Sequence, residues 1–199
     1  TETINKHKNW GGLDLWGNPK PVYGALKTLY PKIPIGSMVV TPSSQSGNVT
    51  YTGACRNNNL IVIGVANEQA APHNNTITLT NAPEDLKIVE ALAFEPSEWG
   101  DPSIGEPDIG VEVQKTLVLN PISATSYSID TTTLGDSTLT IVLTVKPDLN
   151  ADGIVDDQDL VSLLSDWLQG GTAADIIPDG GDGTVNLRDF ALFAKHWQD

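Results

Sequence analysis

The stretch Asp148–Asp159 limits what this chain can fold into more than any other. It reads Asp-Leu-Asn-Ala-Asp-Gly-Ile-Val-Asp-Asp-Gln-Asp, with side-chain oxygens at loop positions one, three, five, nine and twelve and glycine at six. A twelve-residue loop with that spacing wraps a hard cation, and calcium asks for six to eight oxygens at about 2.3–2.6 Å. Asp148, Asn150 and Asp152 alternate, so their oxygens converge from one side. Gly153 permits a turn that a Cβ would obstruct. Ile154 offers its backbone carbonyl, Asp156 acts directly or through a water, and Asp159 closes the shell. Helix–loop–helix calcium sites usually close on Glu. Asp159 is one methylene shorter, so the helix that follows must come closer to the ion.

The pattern is repeated. Asp152-Gly153-x-Val155-Asp156-x-x-Asp159 returns thirty residues on as Asp182-Gly183-x-Val185-Asn186-x-x-Asp189, and Trp167 returns as Trp197. A fixed period marks a structural unit. The second ligand set is therefore Asp182, Thr184 (by its carbonyl), Asn186 and Asp189. Its opening is irregular, because strict register puts Pro178 and Gly180 at positions one and three. Asp175 or Asp179 must stand in. Asp175 is preferred, since Gly180-Gly181 can fold the chain back toward Asp182. Two calcium ions are expected, the second bound less regularly. Each loop runs into an apolar stripe: Leu160, Leu163, Leu164, Trp167 and Leu168, then Phe190, Phe193, Ala194 and Trp197. Two facing loop–helix units would bury both stripes and leave the ions at opposite ends.

Ahead of these loops, residues 36–146 read as all-β. Ser37–Thr41, Val49–Thr52, Leu60–Val65, Thr76–Thr80, Leu86–Ala93, Val111–Leu119, Ser126–Ile129 and Thr138–Val145 are rich in Val, Ile and Thr. Turn signals such as Asn57-Asn58-Asn59, Asn74-Asn75 and Leu134-Gly135-Asp136 separate them, and this spacing predicts an antiparallel β-sandwich. Leu60–Val65 is almost continuously apolar, as a strand covered on both faces would be. Residues 95–110 read as a long loop. Residues 1–35 hold a Gly/Pro turn and one short helix in which Val22, Tyr23, Leu26, Leu29 and Tyr30 share a face, ended by Pro31 and Pro34. The expected fold is mainly β with a small α part: N-terminal helical segment, β-sandwich over 36–146, and a two-repeat calcium loop–helix module over 147–199.

Composition excludes some functions. Lys and Arg number 11 against 25 Asp and Glu, a formal charge of −14. A field of that sign repels nucleic acid and anionic membranes, and no apolar run is long enough to cross a bilayer. Cys55 is alone, which reads as a small buried hydrophobe rather than a disulfide partner. Glu90 with Glu95, and Glu98 with Asp101, are neighbouring acids, but nothing in the sequence sets either pair across a cleft as glycoside hydrolysis requires. His7, His73 and His196 have no metal-ligand spacing, and His196 reads as an exposed helix residue. Trp16 and Trp99 could stack on sugar rings or serve as packing plugs. No catalytic site is expected in this chain.

Three stretches resemble known families. Trp10–Leu26, with its Leu-Asp strand end, Gly-x-Pro-Lys-Pro turn and Tyr-x-Ala-Leu helix, resembles the last strand-to-helix unit of barrel-type glycoside hydrolases of the xylosidase and agarase sort. Ile61–Asn67 and Asn120–Ile129 resemble strands of the sandwich that follows such barrels; the Thr138–Val145 strand has no place in that pattern. Asp-x-Asn-x-Asp-Gly-x-Val-x-x-x-Asp-Leu at 148–160 and Asp-Gly-Thr-Val-Asn-x-x-Asp-Phe at 182–190 resemble a dockerin, an EF-hand-like module that tethers secreted polysaccharide-degrading enzymes to cohesin modules. The resemblance implies an extracellular protein whose catalytic barrel, the part that meets polysaccharide, lies upstream. It also implies that Asp157-Gln158 and Leu187-Arg188 face a cohesin-like partner. Those pairs are usually small and hydroxyl-bearing, and only Lys146-Pro147 separates sandwich from module, so the module should abut the sandwich. A carbohydrate-binding sandwich, and a structural calcium-dependent adhesion piece with no enzyme upstream, are the alternative readings.

Overall fold

The computed structural model describes residues 26–42, 50–67, 69, 71–98, 109–177 and 181–197. Most of the N-terminal helical segment, Trp16, Trp99, Asp101, Pro178, Asp179 and Gly180 lie outside them. Nine strands are described: β1 (Met38–Val40), β2 (Thr50–Asn57), β3 (Leu60–Asn67), β4 (His73–Thr80), β5 (Leu86–Glu98), β6 (Ile109–Gln114), β7 (Leu119–Ser123), β8 (Ser126–Thr133) and β9 (Ser137–Val145). Helices α1 (Asp157–Ser165) and α2 (Leu187–Lys195) follow.

The strands form two antiparallel sheets, ordered β1-β2-β3-β9-β5-β6 and β4-β8-β7. Ile61, Ile63 and Val65 of β3 face the other sheet together with Leu139, Ile141 and Leu143 of β9, and they meet Tyr127 and Ile129 of β8. Leu60 and Val62 point the other way and pack with Val142, Leu29 and Ile33. The continuous apolar run in β3 thus has a cause on each face. β9, which matches nothing in the family pattern, lies between β3 and β5 and is buried almost throughout.

Several local expectations are corrected. The run Val111–Leu119 is not one strand: β6 ends at Gln114 in the larger sheet, and the chain crosses to begin β7 at Leu119 in the smaller one. β-propensity alone cannot register such a change of sheet, but Pro121, confined to an outer strand, is compatible with it. Asn74-Asn75 lies inside β4 rather than in a turn. There Thr132 Oγ1 donates to Asn74 Oδ1 (2.7 Å) and Asn75 Nδ2 to Thr133 Oγ1 (3.0 Å), cross-strand bonds that offset poor β-propensity. Strand β5 runs on to Glu98, into what reads as loop. Glu90 and Glu95 on β5 form ion pairs with Lys32 (2.6 Å) and Lys115 (2.5 Å).

Residues 26–29 are helical and tighten into a 3₁₀ turn, Tyr30–Lys32, at Pro31. The packed face is Thr28, Leu29 and Ile33; Leu26 and Tyr30 are exposed, contrary to the helical-face expectation. Leu29 lies over Gly64, where a Cβ would come within 3.0 Å of it. Cys55 is half-buried rather than buried, because it borders a cavity of about 260 Å³ between this segment and the outer face of β2 and β3. Among the described residues, no helix is long and apolar enough to cross a membrane.

The loop–helix module packs against the sandwich. Val155, Leu163, Ala174, Val185 and Phe193 belong to the same buried cluster as Leu86, Leu143 and Val145, with no break at Lys146-Pro147. Each of the Val, Leu and Phe side chains among them contributes roughly 1.5–3 kcal/mol by leaving water. The polar contacts across the seam, Lys195 to Glu84 (2.7 Å) and to Asp85 (2.9 Å), are exposed pairs worth about 1 kcal/mol at most. Apolar burial therefore holds the seam. His196, expected on the surface, is 6% exposed, its Nε2 lying 3.1 Å from Asp85 Oδ2. The apolar stripes are also narrower than expected. Leu163, Leu192 and Phe193 are buried, whereas Leu164 (54%), Leu168 (71%), Phe190 (39%) and Trp197 (39%) remain exposed, as does Ala194. Two nine-residue helices sharing one inward face with a sandwich have no second surface to cover the flanks.

Candidate metal centre

Both loops are built from carboxylates that accept backbone N–H groups. In the first, Asp148 is fully buried; its Oδ2 accepts from the Thr144 hydroxyl and from Gly153 N (2.9 Å), and its Oδ1 from Asp152 N (3.2 Å). Asn150 Oδ1 accepts from that same Asp152 N (3.0 Å), so two of the expected donor oxygens meet at one point of the loop interior. Asp152 Oδ1 accepts from Ile154 N (2.9 Å), an Asx turn that carries the chain past Gly153, where φ is +94°. Asp159, also fully buried, accepts Leu149 N (2.7 Å) and Asn150 N (3.1 Å) on Oδ1 and Asp156 N (3.0 Å) on Oδ2.

The second loop repeats this frame. Asp175 Oδ1 accepts from Asp182 N (3.0 Å) and Oδ2 from Gly183 N (2.9 Å), the role Asp148 plays toward Asp152 and Gly153. Asp189, fully buried, accepts Ile176 N (2.8 Å) and Ile177 N (3.0 Å) on Oδ1 and Asn186 N (2.8 Å) on Oδ2, as Asp159 does. Asp175 therefore opens the second loop in the hydrogen-bond frame, and the register slip is an insertion before Asp182. Gly181 makes it possible: φ is +81°, and a Cβ there would fall 2.5 Å from the Asp175 carboxylate. Asp179 lies outside the described residues.

The frame also starts the helices. Asp156 caps α1 by accepting from Gln158 N (2.8 Å), with Asp159 answering at the third helical position; Asn186 and Asp189 do the same for α2. Such reciprocal caps satisfy N–H groups that a helix start leaves unpaired. One residue type at loop position twelve thus closes the loop and begins the helix.

The fit to a cation differs between the loops. The donors are hard oxygens in both, the chemistry calcium takes. Among the described residues, no three Asp, Glu, His or Cys side chains are grouped so as to hold a metal by themselves. In the first loop the expected set also includes the Asn150 amide and the Ile154 carbonyl, and Asp159 keeps an acceptor position only on Oδ2. Burial pushes the Asp148 carboxyl above its ordinary value, and the charges on Asp159 and Asp152 add to this, against the lowering bonds from Thr144 and Gly153. Crowded, buried carboxylates of this kind are relieved by a cation. Lys87 stands nearby with its ammonium pushed down by burial, against the charges of Asp148 and Asp159. In the second loop Asn186 Nδ2 donates to the Thr184 carbonyl (2.7 Å) and lies 3.3 Å from Asp182 Oδ1, and Arg188 reaches Asp182 Oδ2 at 3.5 Å. Internal donors thus occupy two of its expected ligands, Asp182 and Thr184, against one in the first loop, where Asn150 Nδ2 donates to Asp152 Oδ2 (3.0 Å). The first loop fits a calcium ion better.

Sequence reasoning missed Thr144, Lys87, Asn59 and Leu60, all on the sandwich and all against the first loop. No local motif marks them. Gln158, Asp157, Leu187 and Arg188, the expected partner-facing residues, are exposed.

No protein-family model matches this sequence, and no curated protein matches it. Among solved structures, the chain is similar to a glycoside hydrolase family 30 subfamily 8 xylanase, Xyn30A, from Clostridium acetobutylicum (TM-score 0.45, 13% identity over 68% of this chain). It is also similar to a GH30 endoxylanase from Clostridium papyrosolvens C71 (TM-score 0.42, 13% identity over 65%). A third is CelM2, a bifunctional glucanase-xylanase from a metagenome library (TM-score 0.36, 16% identity over 65%). The alignments take in 31%, 29% and 24% of those proteins, so this chain spans less than a third of their length.

Proposed function

We propose that this chain is the non-catalytic C-terminal part of an extracellular polysaccharide-degrading glycoside hydrolase, and that its paired loops form a calcium-dependent, dockerin-like module that anchors the enzyme to a cohesin-type partner or cell surface. The observation that carries the reading is the duplicated frame: Asp148 with Asp159 and Asp175 with Asp189 gather equivalent backbone N–H groups. The motifs at 148–160 and 182–190 give that frame its dockerin character, and those at 10–26, 61–67 and 120–129 give the enzyme context.

Asp148, Asn150, Asp152, Ile154, Asp156 and Asp159 would hold one ion, and Asp175, Asp182, Thr184, Asn186 and Asp189 the other. Calcium, when bound, supplies the positive charge that buried carboxylates need. The chain's own residues do the rest: Gly153 and Gly183 turn the backbone, and Asp159 and Asp189 start the helices that present Asp157-Gln158 and Leu187-Arg188. Extracellular calcium at about 10⁻³ M would fill even sites with a dissociation constant of about 10⁻⁴ M. Calorimetric titration of the EDTA-stripped chain should give two equivalents, the first tighter. No uptake of calcium ends the reading. Sequencing the gene upstream for a barrel with paired glutamates tests the enzyme context.

A second reading, a sandwich that itself holds polysaccharide, is favoured by one feature. An open polar groove of about 530 Å³ is lined by Asn74, Thr76, Lys115, Asp130 and Thr132. Retardation on a xylan, agar or cellulose affinity gel would support it.

A further inference from the structure

Asp148 opens the first loop, yet several groups that hold it come from the sandwich. Thr144 on β9 is fully buried and donates its hydroxyl to Asp148 Oδ2. Lys87 on β5 donates through Nζ to the Asp148 carbonyl (2.6 Å) and the Lys146 carbonyl (3.0 Å). Asn59, in the β2–β3 hairpin, donates its N–H to the Gly153 carbonyl (3.2 Å). The next residue, Leu60, sits so close that a Cβ on Gly153 would meet it at 2.9 Å. The second loop is held differently. The bonds that fix Asp175 come from its own loop, and a Cβ on Gly183 would meet nothing within 4 Å. The loop's outside backbone bonds, Val185 N to the Gln169 carbonyl (2.8 Å) and Leu168 N to the Val185 carbonyl (2.9 Å), come from the segment after α1 rather than from the sandwich.

We infer that the sandwich is the outer support of the first metal loop, with Thr144 and Lys87 as positioning residues for Asp148, so that cation uptake there and folding of the sandwich are coupled, while the second loop fixes its opening carboxylate through Asp182 and Gly183 of its own. Asp148 has two oxygens and one must stay turned to the loop interior. The Thr144 hydroxyl and the Gly153 N–H both claim Oδ2, which fixes the carboxylate plane and leaves Oδ1 beside Asn150 Oδ1. Lys87 ties the backbone of Asp148 to β5, so the residue cannot drift from the strand end. Groups that orient ligands in this way typically change metal affinity by about 10–100-fold when removed. Coupling is reciprocal: what the sandwich does for the ion, the ion does for the sandwich.

The inference rests on the calcium reading above, and the test separates the two. Calcium titration by calorimetry is run on the full chain and on Thr144→Val and Thr144→Ser. Thr144→Val should weaken one of two sites by about 10–100-fold and leave the other unchanged, and Thr144→Ser, which keeps the hydroxyl, should titrate like the parent. A parent that binds two ions and a Thr144→Val chain that binds both as tightly overturns the inference alone. A parent that binds none overturns the calcium reading with it. Hydrogen exchange on the parent needs no variant: calcium should slow exchange of the amides at the end of β9 (Thr144, Val145) and the start of β5 (Leu86, Lys87). Protection confined to residues 148–195 overturns the inference.

Discussion

The loops at 148–159 and 175–189 fix their first and last carboxylates with the same set of backbone bonds and differ in what stands behind them. Behind the first is a sandwich: Thr144, Lys87, Asn59 and Leu60 touch its ligands or its turn. Behind the second is the segment that follows α1, where Val185 N donates to the Gln169 carbonyl (2.8 Å) and Leu168 N to the Val185 carbonyl (2.9 Å), and Asn186 and Arg188 turn onto Asp182 and Thr184. A motif therefore sets the frame, and the neighbours decide how ready that frame is for a cation. Both loops also turn an amide of their own onto a loop carboxylate, Asn150 Nδ2 onto Asp152 Oδ2 (3.0 Å) and Asn186 Nδ2 onto Asp182 Oδ1 (3.3 Å), so the difference between them lies in their neighbours and not in this internal bond.

The largest effect should come from the closing carboxylates. Asp159→Ala leaves three part-buried backbone N–H groups without their acceptor, a cost of roughly 3–5 kcal/mol in chemical denaturation with EDTA present. Asp189→Ala should cost a similar amount, because its three bonds are the same; a cost near zero at either site would break the equivalence of the two frames. The glycines separate the loops next. Gly153→Ala adds the Leu60 contact to the strain of φ +94° and should cost about 2–4 kcal/mol. Gly183→Ala, with the same φ and open space, should cost only about 1–2 kcal/mol. Equal losses would mean that the first loop does not press on the sandwich.

Calcium removal has a smaller expected effect. A site with a dissociation constant of about 10⁻⁴ M in about 1 mM calcium gains only ~1.4 kcal/mol by mass action. Adding EDTA should lower the midpoint of thermal unfolding, and far-ultraviolet circular dichroism should lose helix from residues 157–195 before strand signal. Unchanged melting in EDTA would break the comparison by removing the cation from both loops.

The seam supplies the smallest effect and a pH dependence. Burial alone would push the Asp85 carboxyl up, but hydrogen bonds and charge from Lys195 and His196 outweigh it and hold the carboxyl below its ordinary value of 3.8. A carboxyl depressed in the folded state stabilises it above the unfolded value and loses that stabilisation as pH falls through the folded one. The difference in melting temperature between the parent and Asp85→Asn should thus be present above about pH 4 and vanish in stronger acid. It should correspond to less than about 1 kcal/mol, since Lys195 and Asp85 are partly solvated. A difference that grows in acid would contradict the assignment of Asp85 to this contact.

Much of the candidate site could be read from residue order because it is built from short-range bonds. Asp148 to Gly153 and Asp156 to Asp159 are separated by five residues or fewer, so spacing alone brings them together. The Asp175 opening could also be argued, from the Gly180-Gly181 pair that lets the chain return. Val111–Leu119 misled because a run of Val and Thr fits either sheet, and only the sheets' packing says where the chain crosses. His196 misled for a related reason: a polar residue at the end of a short helix reads as solvated until Asp85 is set against it.

By itself, the sequence determined the two loops, their period and the helices that begin at Asp157 and Leu187, because these depend on contacts within a few residues, and it marked most of the strands by their runs of Val, Ile and Thr, though their partners lie far off, as Ile61 does from Leu143. Only the tertiary structure decided that β9 runs through the middle of the larger sheet and that the first loop leans on Thr144 and Lys87. It also decided that the apolar core passes through Lys146-Pro147 without interruption. Those outcomes depend on groups as far apart as Leu60 and Gly153, and no local pattern of hydrophobicity or spacing records which distant surface a face will meet.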